Sequence, residues 1–216
     1  MSDFTTADIV EQLLLATRWT IALSLIAFLG GGVVGLGIAL MRVAETRPVR
    51  IAARLYIELL QGTPLLMQLF LCFFGLALFG IETSPWFAAA LALTLYTAAF
   101  LGEIWRGCIE AVPKGQWDAG KSLALGYVQQ MRFVILPQAM RVAIPPTVGF
   151  LVQVVKGTAL ASIIGFVDVT KAGSMIANAT LQPFLVYGAV GAIYFALCYP
   201  LSLLSRRLER RFAPAH

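Results

Sequence analysis

Apolar residues fall into five long runs along this chain, separated by short stretches that hold most of its arginines, lysines and prolines. A helix needs roughly 20 apolar residues to cross a hydrocarbon core. The runs Thr20–Met41, Leu55–Phe79, Trp86–Trp105, Ile144–Phe166 and Phe184–Leu204 all have about that length. The pattern predicts an all-α integral membrane protein with about five transmembrane helices, forming one transmembrane domain over residues 1–216. Residues from about Thr5 to Arg18 are expected to form a short interfacial helix. Asp3, Asp8 and Glu11 precede the first run, where a secretory leader would carry positive charge, so this end is not read as a cleavable signal.

Charge orients the runs. Arg42, Arg47, Arg50 and Arg54 follow the first, and Arg106, Lys114, Lys121, Arg132 and Arg141 lie between the third and fourth. Arg206, Arg207, Arg210 and Arg211 close the chain, while the other side holds only Arg18 and Lys171. Positive residues stay in the cytoplasm, which predicts an outside N-terminus and an inside C-terminus. An odd number of spans agrees with that.

Composition narrows the function classes. With 59% hydrophobic and 12% charged residues, a water-soluble domain is excluded. The net charge of +5 follows from basic residues at the ends of apolar runs, so it signals topology rather than nucleic-acid binding. Cys72, Cys108 and Cys198 make neither a disulfide framework nor a metal spacing. The only histidine is His216, so histidine catalysis and histidine-ligated metal or haem are not expected, and no metal site is assigned.

Polar residues inside the runs are costly and therefore informative. Glu58, Gln61, Leu65 and Gln68 recur at three- and four-residue steps, which puts them on one helical face. Gly62 and Pro64 loosen the helix between them, next to Thr63. The stripe either lines a wet path or holds the bundle together through interhelical hydrogen bonds. The fourth run is read as opening at Pro145-Pro146, with Lys156 about ten residues on, roughly 15 Å along the axis and near mid-membrane. A lysine there costs about 3 kcal/mol unless solvated or paired. It either faces a cavity that admits a polar solute, together with Gln153, Thr158 and Ser162, or pairs with Glu58 or Glu103. The two readings are compatible if the pair is a gate. Tyr96, Glu103, Arg106 and Glu110 share a face, and Glu103 can pair locally with Arg106. The Gly30-Gly31-Gly32 run with Gly35 and Gly37, and Gly188 with Ala192, read as small-residue packing faces.

The segment Val112-Pro-Lys-Gly-Gln-Trp-Asp-Ala-Gly-Lys-Ser-Leu-Ala-Leu-Gly126, followed by Ile135-Leu-Pro-Gln-Ala139, predicts a short helix in a cytoplasmic loop of about residues 110–140. Gly115 precedes the helix, Asp118 stands in its first turn, Gly126 ends it, and Trp117, Leu123 and Leu125 give it an apolar side. Periodicity alone allows it to lie on lipid or to dock a soluble partner.

Glu110-Ala-Val-Pro-Lys-Gly-Gln-Trp-Asp-Ala-Gly120, then Gly126, then Ile135-Leu-Pro-Gln-Ala139, resembles the EAA loop of bacterial ABC-importer permeases. More narrowly, it is similar to the polar amino acid (His/Glu/Gln/Arg/opine-type) subfamily, with its "VPKGQ-x-EAA-x-x-LG" and "LPQA". Gln61-Gly-Thr-Pro-Leu-Leu-Met-Gln68 resembles "RGTPLLVQ", Ala99-Phe-Leu-Gly-Glu-Ile-Trp-Arg106 resembles "AYxAEIxR", and Lys156-Gly-Thr-Ala-Leu160 resembles "KDTSL". The chain departs from these at Asp118-Ala119-Gly120 in place of "EAA", at Gln61 in place of arginine, and at Gly157 in place of aspartate.

The resemblance implies a type I importer permease in the bacterial cytoplasmic membrane, paired with an identical or paralogous permease. Beneath it would sit a dimer of ATP-binding cassette ATPases that carries the ATP and magnesium, and an extracytoplasmic binding protein would deliver a polar amino acid or related compound. The implied ATPase-coupling residues are Gly115, Gln116, Trp117, Asp118, Ala119, Gly120, Leu123 and Gly126. The implied substrate pathway or gate comprises Glu58, Gln61, Thr63, Gln68, Glu103, Gln153, Lys156, Thr158 and Ser162. The chain is read as carrying no GxxxxGK[ST] phosphate loop, so it binds no cofactor and is not itself the enzyme. An ion-coupled secondary transporter is the alternative; it would usually need more spans.

Overall fold

Helix α1 (Thr6–Val43) runs unbroken for 38 residues, about 57 Å, far more than one membrane crossing requires. It belongs to a computed structural model that describes residues 5–212. Asp3 and His216, cited above, lie outside those residues. A capping box between Thr5 and Asp8 starts α1. The expected interfacial helix before Arg18 is therefore not separate. It forms the first turns of α1, where Ile9 and Leu13 are buried against Val169, Ile176, Val186 and Val190.

After α1 come α2 (Arg47–Gln61), α3 (Leu65–Phe70) and α4 (Leu76–Leu78), with a π-helical turn joining α3 to α4. The apolar run Leu55–Phe79 is broken rather than merely loosened. It bends by 100° between Gln61 and Leu65. Pro64 has no N–H for the Leu60 carbonyl four residues back, so the helix cannot continue. Gln68 answers the loss: its Nε2 donates to Leu60 O at 2.7 Å, to Thr63 O at 3.1 Å and to Thr63 Oγ1 at 3.0 Å. Thr63 Oγ1 in turn donates to Leu59 O at 2.9 Å.

Helix α5 (Pro85–Glu110) lies along α1, with Ser84 as its N-cap. The two approach closely because side chains are missing where they cross. A Cβ on Gly31 would lie 2.5 Å from Thr97 Cβ, and one on Gly35 would lie 3.0 Å from Ala98 O. A Cβ added at Gly37 or Gly188, both placed in packing faces from the sequence, would meet nothing within 4 Å among the described residues.

Two short helices follow, α6 (Lys114–Ser122) and α7 (Tyr127–Gln130). A π-helical turn at Met131–Ile135 leads into α8 (Leu136–Gly157), and Pro137 at the start of α8 removes the donor that an unbroken α-helix would need there. Pro145 and Pro146 lie inside α8 rather than opening it. Lys156 is thus in the last turn of α8, not ten residues into it. A 3-10 segment (Thr158–Ile164) ends at Gly165, whose φ of 94° turns the chain into α9 (Val169–Thr180) and then α10 (Pro183–Phe212). Helices α8 and α10 meet where Ser205 Oγ donates to Pro145 O at 3.0 Å and where Val152 and Val155 pack on Cys198.

Replacing Gln68 by leucine leaves the Leu60 and Thr63 carbonyls unpaired in apolar surroundings, at a cost of about 2 kcal/mol. Thermal unfolding of the purified variant in detergent should show a clearly lowered Tm; an unchanged Tm would show the clamp to be dispensable.

Candidate functional site

The site residues expected from the sequence that keep exposed polar groups fall in two places. The first is α6, at the base of α8. Its inner side is sunk into the protein: Trp117 packs on a buried cluster of Ile109, Val112, Met131, Ile135 and Ala139. Trp117 is half-buried in this contact. Gly120 lies beneath Gln130, whose Nε2 donates to the Trp117 carbonyl, and a Cβ on Gly120 would lie 2.7 Å from that nitrogen. The departure from "EAA" at position 120 is thus the space that the Gln130 side chain fills. Gly115, Gln116, Asp118, Ala119 and Lys121 are exposed, and Leu123 is 74% exposed. Asp118 is the fifth residue of the helix rather than part of its first turn.

Position 126 does not end the helix either. The N–H of Leu125 reaches Gly120 O at 3.1 Å and that of Ala124 reaches Lys121 O at 2.9 Å, which is a Schellman closure. Its left-handed residue is Ala124, with φ 54°. Gly126 instead caps the start of α7. The segment Gly115-x-x-x-x-Gly120-Lys121-Ser122 does satisfy the GxxxxGK[ST] spelling taken alone. It lies within α6, after a helix rather than a strand, so its N–H groups are turned into helical bonds and cradle no phosphate.

The second place is the corner between the α2–α3 break and the end of α8. Gly157 has Leu65, the first residue of α3, against it: a Cβ there would lie 3.2 Å from Leu65 Cδ2 and 3.4 Å from Leu93 Cδ2. In the helices that end near this contact, Gln61 at the end of α2 and Gln153 and Lys156 in the last turns of α8 are exposed. Gln61 Nε2 makes only a long 3.4 Å bond to Ala99 O. Among the described residues no carboxylate lies within 4 Å of Lys156. Glu58 is taken by Arg54 at 2.7 Å, and Glu103 by Arg106 at 2.6 Å and Arg42 at 3.7 Å. The pairing of Lys156 with either glutamate is thereby corrected. Gln68 is buried in the clamp, Thr158 is fully buried with its hydroxyl on Val155 O, and Ser162 donates to Ala159 O. The amide nitrogen of Gln68 and the hydroxyls of Thr158 and Ser162 are thus engaged by backbone carbonyls, while Gln68 Oε1 has no partner among the described residues.

One polar centre escaped the sequence reading. Asp168, fully buried, caps α9 by accepting from Lys171 N–H at 2.9 Å and from Tyr194 O–H at 3.1 Å, while Thr20 Oγ1 accepts from Val169 N–H at 3.2 Å. Burial pushes its carboxyl above the usual carboxylate range, against the pull of these hydrogen bonds. The signal was present in the order Gly165, then Asp168, then an apolar helix, which reads as a turn followed by an N-cap.

A bundle of membrane-length helices with a short helix held at one end fits a transport permease. Residues 15–214 match the family of binding-protein-dependent transport system inner membrane components, and the chain belongs to that family. It is a multi-pass membrane permease of the ABC-importer type, and ATP hydrolysis falls to a separate subunit. This sets aside the ion-coupled alternative. Among its relatives, a probable amino-acid ABC transporter permease of Bacillus subtilis is 35% identical over 90% of this chain and 86% of its own length. The nopaline transport permease of Agrobacterium fabrum is 38% identical over 89% of this chain and 84% of its own. A crystal structure of an amino acid ABC transporter with histidines superposes with a TM-score of 0.88 at 35% identity, covering 93% of this chain and 94% of that one. The MetNI methionine transporter, at 17% identity and a TM-score of 0.82 over 99% of this chain, shares the fold.

In the subfamily pattern the glycine falls directly after the leucine of "LG", which here is position 124. Alanine at φ 54° carries a strain that glycine does not. Ala124→Gly should therefore stabilise the end of α6 by about 1 kcal/mol. Slower amide hydrogen exchange in residues 119–125 would show this, and faster exchange would contradict it.

Proposed function

We propose that the chain is one of two permease subunits, identical or paralogous, that carry a polar amino acid or related compound across a bacterial cytoplasmic membrane. Its N-terminus lies outside and its C-terminus inside, in accord with the charge distribution. A binding protein delivers the solute from outside, and a pair of ATP-binding cassette subunits, holding ATP and magnesium, docks beneath. Amino acids as cargo are supported by the relatives, whose names include permeases for cystine, glutamine, arginine, nopaline and octopine.

The observation that carries this reading is the two-sidedness of α6. Its inner side, through Trp117 and Gly120, is packed on the base of α8, and its outer side is free. An ATPase that grips Gln116, Asp118 and Leu123 pushes on Trp117. Close-packed interiors have low compressibility, so the push passes through Met131 and Ile135 into α8. Helix α8 then runs 22 residues, about 33 Å, to Lys156 and the break beside it. We assign the pathway to Gln61, Gln153 and Lys156, and treat Glu58, Thr63, Gln68, Glu103, Thr158 and Ser162 as the frame that holds it.

Reversing the charge at Asp118 tests the docking surface without disturbing the buried side. Asp118→Lys should leave the subunit in the membrane but lower solute transported per ATP hydrolysed by roughly tenfold, the effect of about 1.4 kcal/mol of lost coupling. Uptake and ATPase assays on the reconstituted complex provide the ratio; a normal ratio in a fully assembled mutant would refute the assignment.

A further inference from the structure

We infer that the membrane corner beside the α2–α3 break selects solutes with net negative charge, and turns away cationic amino acids; this rests on the pathway proposed above. The argument is an inventory of charge. Along the bundle, Glu58 and Glu103 are each neutralised by arginines at 2.6–3.7 Å. Lys156 is the charged group at the corner without a counterion among the described residues, and it is exposed. An uncompensated cation within a membrane span is costly and calls for an anionic partner. In a permease, a passing carboxylate is such a partner.

The neighbours of Lys156 point the same way. Gln153, one turn below, and Gln61, across the break, are exposed amides able to donate to carboxylate oxygens. Neither can balance the charge of an ammonium or guanidinium group. Where the resembling motif reads "KDTSL", an aspartate follows the lysine and would offer an anion to a cationic solute. This chain has Gly157 there, with Leu65 and Leu93 packed against it, and Gln61 where the motif has arginine, so both of those charges are gone and Lys156 remains. The corner therefore offers a cation and neutral donors but no free carboxylate. A solute such as an amino acid with a second carboxylate matches that set, while a solute with a basic side chain meets like charge in a medium that screens weakly.

The test uses the permease assembled with its ATPase in lipid nanodiscs, without the binding protein, so that the membrane site alone is read. Equilibrium binding of labelled L-glutamate, L-glutamine and L-arginine should favour glutamate over arginine by roughly tenfold or more, as like-charge rejection implies. Lys156→Gln should collapse that ratio toward unity, and Lys156→Arg should keep it. Arginine binding as tightly as glutamate, or a ratio untouched by Lys156→Gln, overturns the inference. So does the absence of binding by all three in a complex that still performs ATP-dependent uptake with its binding protein, and in that case the transport reading stands. A chain that neither retains an ATPase nor supports ATP-dependent uptake of any amino acid sinks the transport reading itself, and the inference with it.

Discussion

Inside a bilayer no water is at hand to satisfy an unpaired peptide group, and the architecture depends on how this chain meets that demand where a helix must break. Pro64 stops α2, turns the chain by 100° and orphans the Leu60 carbonyl. The amide of Gln68 takes over that carbonyl together with both oxygens of Thr63. Because the bend is held this way, Leu65 arrives against Gly157, and the end of α8 is placed beside the break rather than behind a straight helix. The position of Lys156, and any role for it, follows from that contact.

The same economy recurs elsewhere. Ser205 reaches from α10 to the Pro145 carbonyl, and Thr147 accepts from Trp105 Nε1 at 2.8 Å while donating back to Ala143 O. Polar side chains within the spans thus serve mainly to satisfy helix backbones near prolines or to join helices. What remains free after those demands is small, and this is why the site reduces to a few residues. The arrangement at α6 follows a different rule. There the short helix is held by an aromatic anchor, and its other face has no internal task.

Much of this was legible in the residues, and the exceptions are instructive. The apolar runs announced the helices, and the Gly62-Thr63-Pro64 sequence announced a weak point. Periodicity, however, assumes a continuous helix, so it placed Gln68 on a stripe with Gln61 when the bend separates their tasks. Pro145-Pro146 reads as a helix start because prolines favour first turns. In α8 the pair is instead accommodated within a helix already begun at Leu136, which moved Lys156 from mid-helix to its last turn. The inward packing of Trp117 is not legible locally, because its partners, Met131 and Ile135, are distant in the sequence and no local pattern reveals them. The spelling at Gly115–Ser122 shows the converse, a motif whose letters are present and whose backbone context is absent.

Asp168 bears on how fast a partner can be met. The segment from Gly165 to Thr180 lies at the end of α8 opposite α6, where a loop between spans would ordinarily wander. Here it is tied to α1 through Thr20, to α10 through Tyr194 and to its own helix through the cap. The N-terminal turns of α1 brace it from the side. A protein approaching that end finds a surface whose conformational entropy has already been surrendered during folding, so little ordering is left to oppose the encounter. Release from such a surface would be equally free of rearrangement.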